Sequence, residues 1–365
     1  MHTPTHNLRR VTGTAEPSVA RAVGWLRRAQ YESGFIVRFA TAFRRIDVYP
    51  EITGYAISTF TKLFSKYGDP DFLDRALRAA NAACRVMQTN GAIPSNVSTD
   101  GSYEDKVYLF DQGILAKGLL DLATHLANSG SPEAPRLLAQ ALKATDFISD
   151  AIDGAGPCNQ YRLDGSPLDR FSYAIFAKCN LALLAAHKLT ADERHFRTAQ
   201  VLTRLAIDGY QSSNGAFSVS AGSPFNRTHY HCYALEGLAE FHRATGDDDC
   251  LGALVRGAEY LATHQRADGS FPNMVFPQED DGLEDVPVPA QAANIWRYLD
   301  GLGAGADRTL EISRAIGAIR RRQYRSRWGT LDGGFPLMVP GSLVRRRLAC
   351  SWACIFYIDA DVYDA

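Results

Sequence analysis

The chain has 365 residues, of which 46% are hydrophobic and 22% charged, and its formal net charge at pH 7 is −1. This composition is typical of a folded globular protein, and the near-neutral charge gives no electrostatic drive toward nucleic acid or an anionic membrane. No apolar run reaches the length of a membrane span, and residues 1–15 lack the apolar stretch of a signal peptide. We therefore expect a cytoplasmic protein.

The seven cysteines are odd in number, and six of them fall in predicted helices. Free thiols in a reducing compartment explain this distribution better than disulfides do. Cys350 and Cys354 share one predicted helix face, but the sequence identifies no second pair of ligands for a metal ion beside them. No nucleotide-binding motif is visible, so we predict neither a metal nor a cofactor.

A repeated segment organises the chain. In each copy a helical pattern runs to a glutamine, followed by a short polar turn, a glycine and usually an aromatic residue. The glutamines of the five clear copies are Gln30, Gln88, Gln211, Gln265 and Gln323. Their spacings are 58, 123, 54 and 58 residues, and the long gap contains a degenerate copy that ends near Gly156. Such a period indicates one supersecondary unit repeated about six times.

Each repeat contains two helical patterns, in which apolar residues recur at helical spacing. The first helices are amphipathic and are predicted at 16–30, 72–88, 132–150, 191–210, 248–265 and 307–323. The second helices are more apolar and are predicted at 51–67, 109–128, 169–188, 229–244, 290–302 and 347–359. Glycines just past several of the first helices are helix stop signals.

Twelve helices that alternate between amphipathic and apolar predict two concentric rings, with the apolar set inside. We therefore expect an all-α protein, an (α/α)6 toroid that occupies residues 16–365 as a single domain after a flexible N-terminal tail at 1–15. An open superhelix of tetratricopeptide type is the alternative. Its turns are usually short, whereas the connectors here are long and rich in aromatic residues.

The cavity of a toroid lies along its axis and is lined by the first turns of the inner helices, where a buried polar group needs a ligand or a partner. Two of these helix starts carry carboxylates. Tyr49, Glu51 and Tyr55 open the first inner helix, and Glu51 suits either the helix dipole or the cavity. Asp111 and Gln112 open the second, and Asp111 is either a helix cap or a site residue.

The third and fourth inner helices begin with aromatic and basic residues. Arg170 and Tyr173 lie at the third, where an arginine can hold a carboxylate or phosphate or form a structural salt bridge. His229, Tyr230 and Tyr233 lie at the fourth. A histidine there suits general acid–base chemistry because its pKa is near working pH, although a histidine on an apolar face is more often structural.

The last two inner helices supply amides and indoles. Gln291 and Asn294 lie three residues apart, Trp296 offers a face for sugar stacking, and Trp352 begins the final helix. The acidic run ahead of Gln291, at 279–285, is either an exposed loop or a lid. Aromatic, amide and charged side chains together suit a polyhydroxylated ligand. We predict a small-molecule or oligosaccharide substrate, with no nucleic-acid or membrane partner, and the sequence leaves the oligomeric state open.

With these residues in place, the chain resembles the six-hairpin (α/α)6 superfamily. The resemblance spans roughly residues 16–360 and rests on the motifs Tyr-Pro-Glu-x-Thr-Gly-Tyr (49–55), Asp-Gln-Gly (111–113), Thr-His with Tyr-x-Leu-Glu-Gly-Leu (228–238) and Gln-x-Ala-x-Ile-Trp (291–296). The superfamily includes N-acylglucosamine 2-epimerase-like proteins, glucuronyl C5-epimerase domains, unsaturated glucuronyl hydrolases and polysaccharide lyases. The chain is most similar to a bacterial branch found with surface-polysaccharide or natural-product genes.

The resemblance implies a carbohydrate-active enzyme, and we expect an epimerase that acts on a sugar or uronic-acid unit. In this hypothesis His229 removes or returns a proton, while Glu51 and Arg170 bind the substrate and tune pKa values. A tyrosine at one of the helix starts acts on the opposite face, the candidates being Tyr49, Tyr55, Tyr173 and Tyr230.

Three alternatives stay open. A glycoside hydrolase or lyase of the same fold would need a pair of carboxylates, and Glu51, Asp111 and Asp285 are the candidates. A terpene cyclase-like enzyme is a weaker alternative, because the sequence has no Asp-x-Asp-Asp motif. A glycan-binding or scaffold protein without catalytic activity is the third.

Overall fold

The computed structural model describes residues 16–98, 101–339 and 348–362, and these residues form twelve α-helices in two layers. The outer layer consists of α1 (Pro17–Ala29), α3 (Pro70–Val86), α5 (Ala134–Ala155), α7 (Glu193–Tyr210), α9 (Asp248–Thr263) and α11 (Thr309–Arg322). The inner layer consists of α2 (Pro50–Tyr67), α4 (Leu109–Asn128), α6 (Asn180–Thr190), α8 (Thr228–Thr245), α10 (Val288–Leu302) and α12 (Ser351–Val362). The predicted tail at 1–15 lies outside the described residues.

The inner helices form a closed circle. Each inner helix packs against the next, and α12 packs against both α2 and α1. A 3₁₀ helix at 174–179 leads directly into α6. The (α/α)6 toroid predicted from the repeat is confirmed, and the open superhelix is excluded. None of the helices in the described ranges is both long enough and apolar enough to cross a membrane.

The division into layers follows from the sequence of each helix. Helix α3 buries an alanine-rich stripe beside Phe72, while its other face carries charged side chains. Helix α2 is buried along most of its length, so its polar residues must find partners inside the protein. Aspartates cap three of the six outer helices, namely Asp69 for α3, Asp192 for α7 and Asp247 for α9, by accepting a backbone N–H of the first turn.

The repeated glycine holds each connector against the next outer helix. Gly34, Gly91, Gly215, Gly269 and Gly333 have φ between 85° and 99°, in the left-handed region. A Cβ on each would lie only 2.0–2.3 Å from a backbone carbonyl oxygen, on Arg78, Lys143, Arg256, Arg314 and Arg21 respectively. Only glycine permits this approach. The last pair joins the final repeat to the first helix and so closes the toroid.

The third repeat departs from the prediction. Helix α5 runs on to Ala155, and the turn that corresponds to the repeated glycine lies at Gly165 rather than Gly156. A Cβ at Gly165 would meet only Phe147, at 3.8 Å, so this turn does not seat against the next outer helix. The degenerate sequence therefore marks a real loss of one interhelical contact, although the toroid still closes.

The third inner helix begins later than predicted. The predicted helix at 169–188 starts in the structure as the 3₁₀ helix Ala174–Cys179 and becomes α-helical only from Asn180. Asp169 explains the difference, because its carboxylate accepts backbone N–H groups from Asn159, Gln160 and Phe171 and holds the chain in a loop.

Short strands precede most of the inner helices at one end of the toroid. They form antiparallel ribbons, β1 (Val37–Ala40) with β2 (Arg45–Val48) and β9 (Ala349–Cys350), β3 (Val107–Tyr108) with β4 (Gln160–Tyr161), β5 (Asn226–Arg227) with β6 (Met274–Val275), and β7 (Glu284–Asp285) with β8 (Met338–Val339). In the first sheet Phe39 pairs with Ile46 on one side and Cys350 on the other. The ribbons therefore fix the entry points of the inner helices.

Candidate functional site

A cavity of about 700 Å³ lies where the ribbons enter the inner helices. Eight of the side chains predicted for the site line it, namely Tyr49, Glu51, Asp111, Tyr173, His229, Tyr230, Tyr233 and Trp352. Its other polar and aromatic lining residues are Arg38, Phe39, Asn96, Tyr108, Phe110, Asn159 and Arg227. The cavity is large enough for a small sugar and offers both aromatic faces and hydrogen-bonding groups.

Glu51 is a buried carboxyl in the cavity wall. Pro50 begins α2 and places Glu51 in its first turn, where only 3% of the residue is exposed. Burial, followed by the charge of Asp111, holds the pKa of Glu51 well above its usual range. The N–H donated by Trp352 and the cations Lys178 and Arg38 act in the opposite direction without cancelling the rise.

Asp111 lies beside Glu51, in the first turn of the neighbouring inner helix α4. Burial raises the pKa of Asp111 to about 7, although hydrogen bonds from Tyr49 and Ser95 and the charge of Arg38 favour its ionised form. Asp111 is not an N-cap in this structure, because Tyr108 holds that position. Two carboxyl groups with raised pKa values therefore face one another in the same cavity.

Two arginines bring positive charge to the cavity. The guanidinium of Arg38 lies over Tyr49, 4.9 Å from the ring centroid, and that of Arg227 lies 4.9 Å from the centroid of Tyr230. In each arginine the Nε atom is buried and makes no hydrogen bond to the described residues. Both side chains line the cavity, so the two guanidinium groups bring positive charge to its wall.

His229 is held through one ring nitrogen. Its Nδ1 lies 2.7 Å from Oε1 of Gln291, and the amide nitrogen of Gln291 donates to the carboxylate of Glu236, at 3.2 and 3.3 Å. An ionised carboxylate can only accept, so the amide nitrogen must face Glu236 and the amide oxygen must face His229. His229 therefore carries its proton on Nδ1.

The second ring nitrogen of His229 is open to the cavity. Nε2 bonds to no described residue and is not among the buried atoms that lack a partner, while the side chain itself lines the cavity. Burial, with the nearby charges of Arg227 and Lys178, lowers the pKa of His229 to about 3. The imidazole is therefore neutral at physiological pH and presents an unprotonated nitrogen to a ligand.

Behind His229, the ammonium group of Lys178 is enclosed. Its Nζ lies 2.5 Å from Glu236, and it faces the rings of Tyr233, Tyr55 and Phe356 with centroids at 4.2, 4.8 and 5.2 Å. Burial lowers the pKa of Lys178, while Glu236 acts to raise it. Lys178 is absent from the cavity lining, so it supports the wall without facing the ligand space.

Tyr55 and Gln291, which we predicted as site residues, belong to this supporting layer. Tyr55 packs against Lys178 and against Phe356, with ring centroids 5.2 Å apart. Gln291 is buried between His229 and Glu236. Neither lines the cavity, so their contribution to binding is indirect.

Four further predicted residues are placed away from the cavity lining. Gln112 is fully buried and bonds to the backbone of Gly91, Ile93 and Ala144. Trp296 is buried and donates to the carbonyl of Ala258. The two remaining residues, Asn294 on α10 and the exposed Arg170 in the Asp169 loop, also lie outside the cavity lining.

The sequence prediction missed Arg38, Arg227, Lys178 and Glu236. The two arginines lie on β1 and β5, and short connector strands give little periodic signal. Lys178 could have been identified from the sequence, because it is the one charged residue in the apolar run from Tyr173 to Ala186. A charge in such a run is buried at a cost unless it is paired.

One group of potential metal ligands lies within the described residues, away from the cavity. Asp146, Asp192 and His195 approach one another on the outer helices α5 and α7. Arg194 already pairs with Asp146, at 2.8 Å, so a cation is present at the cluster without any metal ion.

No family model matches the chain, and no curated protein is similar to it in sequence. Solved structures share its fold. A cellobiose 2-epimerase from Bacillus thermoamylovorans superposes with a TM-score of 0.76 at 12% identity, covering 93% of this chain and 96% of that one. A D-mannose isomerase gives 0.75 at 9% identity, with coverage of 95% and 96%.

An unsaturated glucuronyl hydrolase from Bacillus sp. GL1 gives a TM-score of 0.70 at 17% identity, with coverage of 94% of this chain and 95% of that one. At these identities the likeness establishes the fold, which is the (α/α)6 toroid. Chemistry must be argued from the site, because one fold supports many reactions.

Proposed function

We propose that this protein is a carbohydrate-active enzyme that transfers a proton at a carbon atom of a sugar, as an epimerase or isomerase does. The observation that carries the proposal is the neutral His229, whose Nε2 opens into the cavity while Gln291 holds Nδ1. The fold supports the same class, since the cellobiose 2-epimerase and the D-mannose isomerase are both toroids.

His229 has the protonation state of a proton acceptor. With a pKa of about 3 it is in its base form at neutral pH, as a proton acceptor must be. Because so low a pKa also makes the imidazole a weak base, proton transfer to it depends on stabilisation of the negative charge that forms on the substrate. Abstraction of a carbon-bound proton also places negative charge on a neighbouring oxygen, and the positive charges of Arg38 and Arg227 in the cavity lining stabilise such charge.

Glu51 is the partner that we propose on the opposite face. It lies on the first inner helix and His229 on the fourth of six, so the toroid places them on opposite walls of the cavity. Its raised pKa keeps a proton available to donate. We prefer Glu51 to Tyr49 and Tyr55 for this role, because burial raises the pKa values of both tyrosines and makes their phenol groups weaker acids.

Glycoside hydrolysis is the second candidate, and one observation favours it. Glu51 and Asp111 lie on adjacent inner helices, and the charge of Asp111 contributes to the raised pKa of Glu51. A pair of carboxyl groups, one neutral and one ionised, is what hydrolysis of a glycosidic bond requires.

Ligand-induced thermal stabilisation tests the proposal. The panel contains monosaccharides, reducing disaccharides, uronic acids, short glycans and prenyl diphosphates, and the proteins are wild type and His229→Gln. His125→Gln is the matched control, since His125 lies in the last turn of α4, at the far end from the cavity. We expect a sugar to stabilise wild type and the control, and NMR to show its epimer or isomer forming only with these two proteins.

Each other outcome has a definite meaning. Release of new reducing ends would establish the hydrolase in place of the epimerase. Sugar binding without turnover would establish a glycan-binding protein. Stabilisation by prenyl diphosphates alone would contradict carbohydrate chemistry altogether.

A further inference from the structure

Lys178 and Glu236 form an ion pair inside the toroid, and neither residue lines the cavity. Lys178 is 3% exposed and lies at the end of the 3₁₀ helix Ala174–Cys179, and Glu236 lies two turns into α8. Removing the ammonium group of Lys178 from water carries a desolvation cost before its attraction to Glu236, whose side chain is 19% exposed, is counted. A hydrophobic pair of the same size would avoid that cost, so the pair calls for a role other than packing.

The pair is the first link of a hydrogen-bonded chain that ends at His229. Lys178 contacts Glu236 at 2.5 Å, Glu236 accepts from the amide of Gln291, and Gln291 contacts Nδ1 of His229 at 2.7 Å. We propose that Lys178 and Glu236 are positioning residues, which fix the amide of Gln291 and thereby the tautomer of His229.

The direction of each bond depends on the charge of Glu236. While Glu236 is ion-paired with Lys178, its carboxylate only accepts, Gln291 must donate to it, and Nδ1 of His229 must donate to Gln291. A protonated Glu236 could donate to the amide oxygen instead. The amide would then reverse, His229 would accept at Nδ1, and the proton would move to Nε2, which faces the cavity.

The equivalent position on other inner helices shows that Gln291 is specialised. Gln291 is the fourth residue of α10, and Gln112 and His231 are the fourth residues of α4 and α8. Gln112 bonds to the backbone of Gly91 and Ala144, and His231 to the backbone of Gly257 and Phe217. Gln291 instead contacts two side chains of the site. Its amide therefore does not bond to backbone groups as Gln112 and His231 do.

Other groups surround the hydrogen-bonded series from Lys178 to His229 and influence its protonation. Helices α10 and α12 contribute the uncharged side chains of Gln291 and Phe356. The titratable neighbours are Glu51 and Tyr55 on α2, Cys232 and Tyr233 on α8, and Arg227 on β5. Lys178 and Arg227 both disfavour the imidazolium form of His229. The inference rests on the proposed function only for the catalytic role of Nε2. The tautomer of His229 is a property of the protein alone.

NMR of protein labelled with ¹⁵N-histidine tests the inference. The nine histidines allow assignment of His229 by difference from His229→Gln. Wild type is expected to show Nε2 of His229 unprotonated at neutral pH. In Lys178→Met, which removes the ammonium group and keeps the chain length, we expect the protonated Nε2 form to become the major one. Lys178→Arg retains the charge and should restore the wild-type tautomer.

His231 is the internal control, because Gly257 and Phe217 fix its tautomer independently of Lys178. If Lys178→Met fails to fold, Glu236→Gln serves instead, since its amide can also donate to Gln291. The measurement is made on whichever variant keeps the His231 signal unchanged. A protonated Nε2 in wild type, or an unchanged His229 in the variant, would overturn the inference. Neither result depends on turnover, so the proposed function is tested separately.

Discussion

The indole of Trp352 donates from Nε1 to both carboxylate oxygens of Glu51, each at 3.1 Å, across 301 residues of sequence. The bond joins the last inner helix to the first, so closure of the toroid and placement of Glu51 are coupled. Because an N–H donated to a carboxylate favours its charged form, the bond lowers the pKa of Glu51 against the effect of burial.

Replacing Trp352 with Phe keeps an aromatic ring and removes this donor. We expect the pKa of Glu51 to rise further above its ordinary value, as followed by ¹³C NMR of labelled glutamate side chains. Trp296→Phe is the matched control, because its indole donates to the carbonyl of Ala258 outside the cavity lining. An unchanged or lower pKa for Glu51 in Trp352→Phe would show that the bond does not govern its ionisation.

Gly333→Ala tests closure of the toroid. Gly333 has φ of 85°, and an added Cβ would lie 2.2 Å from the carbonyl oxygen of Arg21. Strain and overpacking together should lower the free energy of unfolding by about 3 kcal/mol or more. Gly246→Ala is the control, with φ of 68° and no atom within 4 Å of the added Cβ, and should cost about 1 kcal/mol. Equal losses in urea denaturation would contradict the closure contact.

Asp111 should make stability fall as pH rises. Its pKa is raised to about 7 in the folded protein, so between pH 4 and 7 the unfolded chain releases a proton that the folded protein keeps. The free energy of unfolding then falls with pH, by at most about 1.4 kcal/mol per pH unit. Asp111→Asn should therefore be more stable relative to wild type at pH 7 than at pH 4.

His229 changes the free energy of unfolding with pH in the opposite direction. Its pKa of about 3 lies below the ordinary value, so its contribution is present above pH 6.5 and is lost as pH falls toward 3. His229→Gln should remove that loss, and denaturant titrations across pH 4–7 measure both variants. Parallel curves for Asp111→Asn and wild type would contradict the buried, protonated state of Asp111.

Substitutions of Gln112 and Gln291 distinguish a structural glutamine from one that acts in the site. Gln112 satisfies three buried backbone groups, so Gln112→Leu should cost about 3 kcal/mol or more and leave the activity of the folded protein unchanged. Gln291→Leu removes the partner of His229 and should abolish most turnover in protein that still folds. A catalytic loss in Gln112→Leu at full folding would show that this amide acts in the site after all.

The repeat made the fold predictable, because its glycine is required by one recurring contact. Gly215 and Gly269 need a left-handed φ and space for a backbone carbonyl, and both requirements are visible in sequence. The third repeat was mispredicted in detail because Asp169 holds its connector in a loop, a tertiary effect without periodicity.

The cavity was predictable wherever a side chain lies in the first turn of an inner helix, as Glu51 and His229 do. Gln112 was misjudged because an amide at such a position can serve the backbone as well as a ligand. Arg38 lies on a connector strand, and its approach to Tyr49 depends on strand pairing that the sequence does not encode locally.

Deuterium uptake from solvent tests the central claim most directly. Wild type and His229→Gln are incubated in D₂O with the sugar that stabilises the protein, and NMR follows label at carbon. We predict that wild type introduces deuterium at the carbon whose configuration or oxidation level changes, and that His229→Gln lowers the rate by a factor on the order of 100 or more. Turnover of that sugar without deuterium uptake, or equal uptake by the two proteins, would contradict proton transfer by His229.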